Sequence, residues 1–129
     1  MKEKVRVRYG IVCDDARRED NGKIILIGIY GSNIVLQKIP AVLPLCTAIF
    51  YDADASIELP FTFRVLLGKE QLNDGNGKFN FSPARNGISL IPNIPLSITN
   101  EGMLKFEIRF ERGAWQTIAA LPVVVRPPK

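Results

Sequence analysis

The sequence contains no histidine. Without an imidazole group, the chain can build neither a Ser-His-Asp triad nor a Cys-His pair, and no histidine is there to ligate a metal. Catalysis would have to rely on carboxylates, lysine, tyrosine or cysteine, and no pair of carboxylates has a spacing that singles it out as acid and base. We therefore expect a protein that is not an enzyme, with no catalytic residues, no metal ligands and no cofactor.

Cysteine is also scarce, because the chain has only Cys13 and Cys46. Two cysteines are too few for a disulfide scaffold, and their separation does not fit a zinc site. Both lie in apolar segments, so we expect them to behave as small buried hydrophobic side chains. In a secreted protein, a single disulfide between two strands would be conceivable.

Long apolar runs are absent, since no stretch approaches the ~20 apolar residues that a membrane span needs. The opening MKEKVRVRYG has no apolar core or cleavage site typical of a signal peptide. We expect a cytoplasmic protein of bacterial or phage type without a membrane partner. The 129 residues, 47% of them hydrophobic, predict a single globular domain over residues 1–129.

Helical periodicity is missing as well, and a period of two takes its place. Apolar and polar residues alternate in Val5–Cys13, Pro60–Leu67 and Leu104–Glu111. Turn signals separate such segments, among them Asn21-Gly22 and Asn73–Gly77. About eight short strands with turns between them predict an all-β chain, a single-domain antiparallel β-sandwich.

Three further segments receive specific predictions. The nearly continuous apolar run in Lys23–Tyr30 predicts a strand buried on both faces at the centre of a sheet. Ile34–Leu36 is expected to form a short strand. Ile91–Pro95 should be extended and near a sheet edge, because proline cannot donate a hydrogen bond to a neighbouring strand.

Residues 13–30, CDDARREDNGKIILIGIY, join a charged stretch to this apolar run. A known family opening shares a set of residues with this chain: Cys13-Asp14, Arg17 or Arg18, Glu19, Gly22-Lys23, Leu26–Tyr30 and the proline-containing Ile39–Pro44. This pattern resembles the opening, CD…R.E..GK..LIGIY/F, of a family of small bacterial all-β proteins of unknown function. The resemblance implies a compact β-sandwich of bacterial or phage origin, and it brings no established activity.

We call Asp14–Asp20, in which six of seven residues are charged, the charged segment. We expect it to form a structured connection between two central strands, with Asp14 accepting hydrogen bonds from loop amides. Arg17 or Arg18 would pair with Asp14, Glu19 or Asp20. Gly28, inside the following strand, would permit a bulge or the close approach of another backbone.

Carboxylates raise two metal hypotheses. The acidic residues of the charged segment could hold magnesium or calcium, but Arg17 and Arg18 would neutralise them. Asp52–Ser56 begins like a calcium loop, yet Ile57 stands where the turn glycine belongs and Phe63 where the bidentate glutamate belongs. A calcium site at one end of a sandwich would instead combine the following loop residues: Asp52, Asp54, Asn73, Asp74 and Asn76.

Lys2, Lys4, Arg6 and Arg8 share one face of the first strand, and we call them the basic row. Such a row could follow a phosphate backbone. The interpretation we favour is that these charges keep an exposed strand from aggregating. The modest net charge of +4 supports that choice.

Three functions from different classes follow. We expect a non-enzymatic interaction module that presents loops or an edge strand to a protein partner, and homo-oligomers are a fair expectation for a sheet with exposed edges. One alternative is a nucleic-acid-associated accessory protein that uses the basic row. Another is a calcium-dependent sandwich domain. The candidate binding residues are Lys4, Arg6, Arg8, Asp14, Arg17 and Arg18.

Overall fold

The computed structural model describes residues 5–53, 57–81 and 86–128, and within these ranges the chain forms nine strands and no helix. Nothing in the described part of the chain is a helix long and apolar enough to cross a membrane. The predicted all-β class is confirmed. The strands are β1 (Val5–Arg18), β2 (Ile24–Ile29), β3 (Ile34–Leu36), β4 (Ala41–Ala53), β5 (Ile57–Leu67), β6 (Glu70–Phe81), β7 (Asn86–Ile98), β8 (Gly102–Arg109) and β9 (Gln116–Val125).

The strands form two sheets. The first has the order β2-β1-β4-β7, and the second has the order β3-β9-β8-β5-β6. Among the described strands, all pairings are antiparallel except β3 with β9, which is parallel, so the predicted antiparallel pairing does not hold at this one place. β3 matches the short strand predicted at the same residues.

The two sheets share one hydrophobic core. The alternation read from the sequence indicates the correct inward face, since Val65, Leu104 and Ile108 have no exposed surface. Phe79 of the second sheet lies at the centre, with its ring centroid 4.6 Å from that of Phe61 and 4.7 Å from that of Tyr51 in the first sheet. Tilted ring pairs at this spacing add stabilisation beyond the burial of apolar area.

Two side-chain amides bridge the sheets. Nε2 of Gln116 in β9 donates to the carbonyl oxygen of Val7 in β1 at 3.1 Å. Nδ2 of Asn73 in β6 donates to the carbonyl oxygen of Pro95 in β7 at 2.9 Å. Together these bonds join the two sheets at two separate strand pairs, β9 with β1 and β6 with β7.

The turn predicted at Asn73–Gly77 was wrong, because these residues continue β6. The chain turns earlier, at Gly68, whose φ of 61° is in the left-handed region. Gly75 lies opposite Phe63 in β5, and a Cβ on this glycine would stand 2.7 Å from the phenylalanine ring. The glycine therefore makes room for an aromatic ring on the neighbouring strand.

β2 occupies an edge of the first sheet and pairs only with β1 in the described structure. The prediction of a central strand buried on both faces was therefore wrong. An apolar run shows that neither face of a strand is polar, but it does not show that both faces are covered. The prediction of an edge position for Ile91–Pro95 is confirmed, because these residues lie in β7, the other outermost strand of this sheet.

Candidate interaction surface

Most of the charged segment belongs to a strand. β1 continues to Arg18, and the connection to β2 is a short turn in which Glu19 N donates to Lys23 O at 2.8 Å and Gly22 N donates to Glu19 O at 3.0 Å. Gly22 has a φ of 89°, as the Asn21-Gly22 signal predicted. The turn leads from β1 to an edge strand, so the expected loop between two central strands was wrong.

Asp15 and Arg17 form the ion pair of the charged segment. Arg17 Nε lies 3.1 Å from Asp15 Oδ2, and the Ala16 amide donates to Asp15 Oδ1 at 2.9 Å. The sequence predicted Asp14, Glu19 or Asp20 as the acidic partner, and that choice was wrong. Side chains two positions apart in a strand share a face, which brings Asp15 and Arg17 together once β1 is extended here.

Among the residues that the structure describes, β2 carries the largest group of exposed large apolar side chains on one strand. Ile25, Ile27 and Ile29 are 42%, 44% and 56% exposed, and we call them the isoleucine row. Their partners across the β1 ladder, Arg17, Asp15 and Cys13, lie on the same face of the sheet. Exposed apolar side chains grouped on one surface mark interaction sites more often than scattered ones do.

The isoleucine row was missed at the level of sequence, although one signal was present. A tight turn pairs a strand with the residues directly before that turn. The residues before Asn21-Gly22 are the charged segment, and a strand paired with such polar residues has little chance of being buried on both faces.

The second sheet presents a different kind of surface. Arg64 Nε lies 2.7 Å from Glu107 Oε1, and the guanidinium groups of Arg64 and Arg109 lie 4.0 and 4.5 Å from the centroid of the Trp115 ring. Thr117 donates to the second carboxylate oxygen of Glu107 at 3.1 Å. Arg64, Glu107 and Thr117 therefore bond to one another, whereas Arg109, whose guanidinium lies over the Trp115 ring, has a buried Nε with no hydrogen-bond partner among the described residues.

Asp14 fixes the end of β2. Its Oδ1 accepts a hydrogen bond of 2.6 Å from the hydroxyl of Tyr30, where loop amides were expected as donors. Gly28, with a φ of 69°, leaves free the space that a Cβ would occupy, and the Asp14 carboxylate lies there. The close approach predicted at Gly28 is present, and the approaching group is a carboxylate rather than another backbone. Burial, followed by the hydrogen bond to Asp14, raises the pKa of Tyr30 to about 12.

Cys13 and Cys46 are direct cross-strand partners in β1 and β4, and both are free and buried. Their expected burial is confirmed. Burial raises the pKa of Cys13, and burial together with the neighbouring Cys13 raises the pKa of Cys46 to about 12. Thiols in this state carry almost no thiolate at neutral pH and are poor nucleophiles.

Two residues of the basic row, Arg6 and Arg8, lie near the start of β1. The other two, Lys2 and Lys4, lie outside the described residues. Arg6 and Arg8 are exposed, and Arg8 Nη1 lies 3.9 Å from Asp52 Oδ1. The pairing of β1 with β4 is irregular between Val7 and Tyr9. Tyr9 stacks on Phe50, with ring centroids 4.9 Å apart. The arginines therefore stand beside an aromatic pair whose Tyr9 is 44% exposed.

Arg18 lies apart from Arg17, on the other face of β1. It lines a cleft with the turn residues Gly22 and Lys23 and with Tyr51 and Ile88. Burial raises the pKa of Tyr51, and the Arg18 charge opposes that shift. The β1–β2 turn therefore lines one cleft together with β4 and β7 of the same sheet.

The described residues proposed for calcium lie in strands of two different sheets, where two loops at one end of the sandwich were expected. Asp52 belongs to β4 in the first sheet, whereas Asn73, Asp74 and Asn76 belong to β6 in the second, and Asp54 lies outside the described residues. Across 5–53, 57–81 and 86–128, no three His, Cys, Asp or Glu side chains are grouped to hold a metal ion. Calcium dependence stays a prediction from the sequence that this arrangement does not favour.

Comparison with family models identifies a family to which the chain is similar. The model of a family of unknown function, DUF6941, matches residues 8–125. The search of curated proteins finds no match. The match extends over both sheets, from Arg8 in β1 to Val125 at the end of β9.

Gly28→Ala should lower the free energy of unfolding by about 1 to 3 kcal/mol, because alanine is strained at a left-handed φ and its Cβ would displace the Asp14 carboxylate. Gly31→Ala is the matched control, since a Cβ there meets nothing within 4 Å, and its effect should stay within about 0.5 kcal/mol. Urea unfolding followed by circular dichroism measures both. Equal effects of the two substitutions would contradict the assigned role of Gly28.

Asp14→Asn should lower the pKa of Tyr30 from about 12 without bringing it to the ordinary value of 10, because burial, the larger cause, remains. A raised pKa in the folded state contributes stability that is complete below about pH 10 and is lost between about pH 10 and pH 12. The variant should lose less stability in this window. Carbon-13 NMR of labelled tyrosine measures the pKa, and Asp15→Asn, which should leave it unchanged, is the control.

Proposed function

The chain belongs to the DUF6941 family of unknown function, and we propose that it is a non-enzymatic β-sandwich module that presents the edge strand β2 to a protein partner. The main observation in support of this proposal is that the isoleucine row lies on an outermost strand of the sheet. An outermost strand offers a line of backbone donors and acceptors that another strand can pair with. Alternate apolar side chains along that line supply the contacts that make such pairing selective.

The chemistry of the surface favours a protein as the partner. β2 from Ile24 to Ile29 carries no charge, and the nearest charges on the same face, Asp15 and Arg17, neutralise each other. A polyanion would gain little from such a surface, whereas an extended polypeptide can bury apolar side chains and complete hydrogen bonds.

The non-enzymatic part of the proposal rests on the available side chains. The sequence supplies no histidine, and the raised pKa values of Cys13 and Cys46 leave both thiols protonated. A bacterial or phage origin and a cytoplasmic location complete the proposal. Free thiols on directly paired strands suit a reducing compartment.

Pull-down from a lysate of the source organism, with nuclease present, tests this function. The unmodified chain and Val42→Lys, which replaces a 72% exposed residue of β4, should recover the same protein. Ile25→Lys should lose it, because a charge on β2 blocks strand addition. In hydrogen exchange, the purified partner should slow the amides of Ile24–Ile29. Undiminished recovery by Ile25→Lys, or exchange unchanged in β2, would overturn the proposal.

A second candidate function, nucleic-acid binding, draws on Arg6 and Arg8. Both are exposed beside the stacked pair of Tyr9 and Phe50. Aromatic faces next to arginines are the elements with which proteins hold single-stranded nucleic acid. Against it, Arg8 is already near Asp52, and the net charge is modest.

The salt dependence of binding to a single-stranded oligonucleotide separates the two functions. If Arg6 and Arg8 contact phosphates, Arg6→Glu with Arg8→Glu should weaken binding and reduce the slope of log K against log salt by about 1.4. Lys105→Glu with Arg112→Glu changes the net charge equally at two other exposed positions. This control should keep a steeper slope of log K against log salt than the Arg6→Glu, Arg8→Glu variant. Equal losses in both double variants would show a general charge effect and exclude a site at Arg6 and Arg8.

A further inference from the structure

Four strands of the described chain lie at sheet edges, and they are unequally protected. β3 has only three residues. β7 contains Pro92 and Pro95, and β6 carries exposed charges at Glu70, Asp74 and Lys78. Proline and charge are the usual means by which proteins keep sheet edges from pairing. β2 has neither of these features, although it is an apolar edge strand.

The isoleucine row is complementary to itself. A two-fold axis perpendicular to a sheet pairs two copies of one edge strand antiparallel and keeps each side chain on its own face. With the axis at Ile27, Ile27 meets its own copy and Ile25 meets Ile29 of the second copy. Residues two apart share a face, so the row pairs apolar with apolar across the whole junction.

The charges next to the row also suit this arrangement. Arg17 and Asp15 lie on the far side of the row from the free edge, opposite Ile25 and Ile27 on β1. They neutralise each other within one copy, with Arg17 Nε 3.1 Å from Asp15 Oδ2. Two copies joined at β2 would therefore place six isoleucines side by side, with no like charges facing each other at the junction.

We propose that the partner of β2 is a second copy of this chain, and that antiparallel β2–β2 pairing centred on Ile27 joins two four-stranded sheets into one of eight strands. This inference rests on the proposed function, because it names the partner of the same edge. Strand pairing satisfies the backbone groups of both edges at once. It also places each isoleucine row between β1 of its own copy and the isoleucine row of the second copy.

Sedimentation equilibrium over a range of protein concentrations tests the pairing. The unmodified chain should be dimeric, and Ile27→Lys should shift the dissociation constant at least 100-fold towards monomer, since two lysines would meet on the axis. Val42→Lys is the matched control and should remain dimeric. Circular dichroism and the thermal midpoint verify that each variant folds. A second substitution at the same position, Ile27→Val, keeps a β-branched apolar side chain and should dimerise like the unmodified chain.

Crosslinking tests the register. Ile27→Cys should give a disulfide-linked dimer on oxidation with diamide, because residue 27 meets its own copy, whereas Val42→Cys should stay monomeric on a denaturing gel. The native Cys13 and Cys46 are buried and react slowly in the folded protein. Dimers that persist in Ile27→Lys, or a failure of Ile27→Cys to crosslink, would overturn β2–β2 pairing.

A monomeric unmodified chain would also overturn the second copy as partner. The proposed function would then still be distinguishable, because a different protein that binds the unmodified chain and protects the amides of β2 would support strand addition from that protein. A monomer whose β2 amides no protein protects would contradict both proposals.

Discussion

The double pairing of β1 at Cys13 is the constraint on which the first sheet depends. Cys13 is opposite Cys46 on β4 and opposite Ile29 on β2, so β1 pairs with one neighbour before this point and with the other after it. The residue has no exposed surface, and its small apolar side chain is buried where both neighbouring strands pair with β1. β2 exists as a strand only because β1 extends beyond β4 and supplies a partner for it.

This arrangement leaves apolar area uncovered at the edge. Complete burial of an isoleucine side chain contributes roughly 1.5 to 3 kcal/mol, so three exposed isoleucines on one strand forgo part of a considerable stabilisation. The chain nevertheless holds β2 in place firmly, with Tyr30 bonded to Asp14 and the Asp14 carboxylate against Gly28. A rigid strand with an apolar face and a free backbone edge is suited to pairing with another strand.

The contrast between the two sheets supports the same interpretation. On the second sheet, Arg64 pairs with Glu107 and lies over the Trp115 ring, so the surface there is polar and these two charges are paired within the chain. On the first sheet, Asp15 and Arg17, the two charges of β1 that lie beside the isoleucine row, pair with each other, and the neighbouring β2 offers apolar side chains. Recognition at this edge would therefore depend on shape and backbone hydrogen bonds more than on charge.

The sequence alone determined the all-β class, the inward faces of β5 and β8, the short β3, the turn at Gly22 and the edge position of β7. Each of these depends on side-chain alternation, glycine or proline, which act through the local backbone. Only the tertiary structure decided that β2 is an edge strand, that Asp15 is the partner of Arg17, that Gly75 makes room for Phe63 and that Cys13 faces Cys46. These features depend on which strands lie side by side, and a strand's own sequence does not carry that information, because an apolar residue reads the same whether a neighbouring strand covers it or water does.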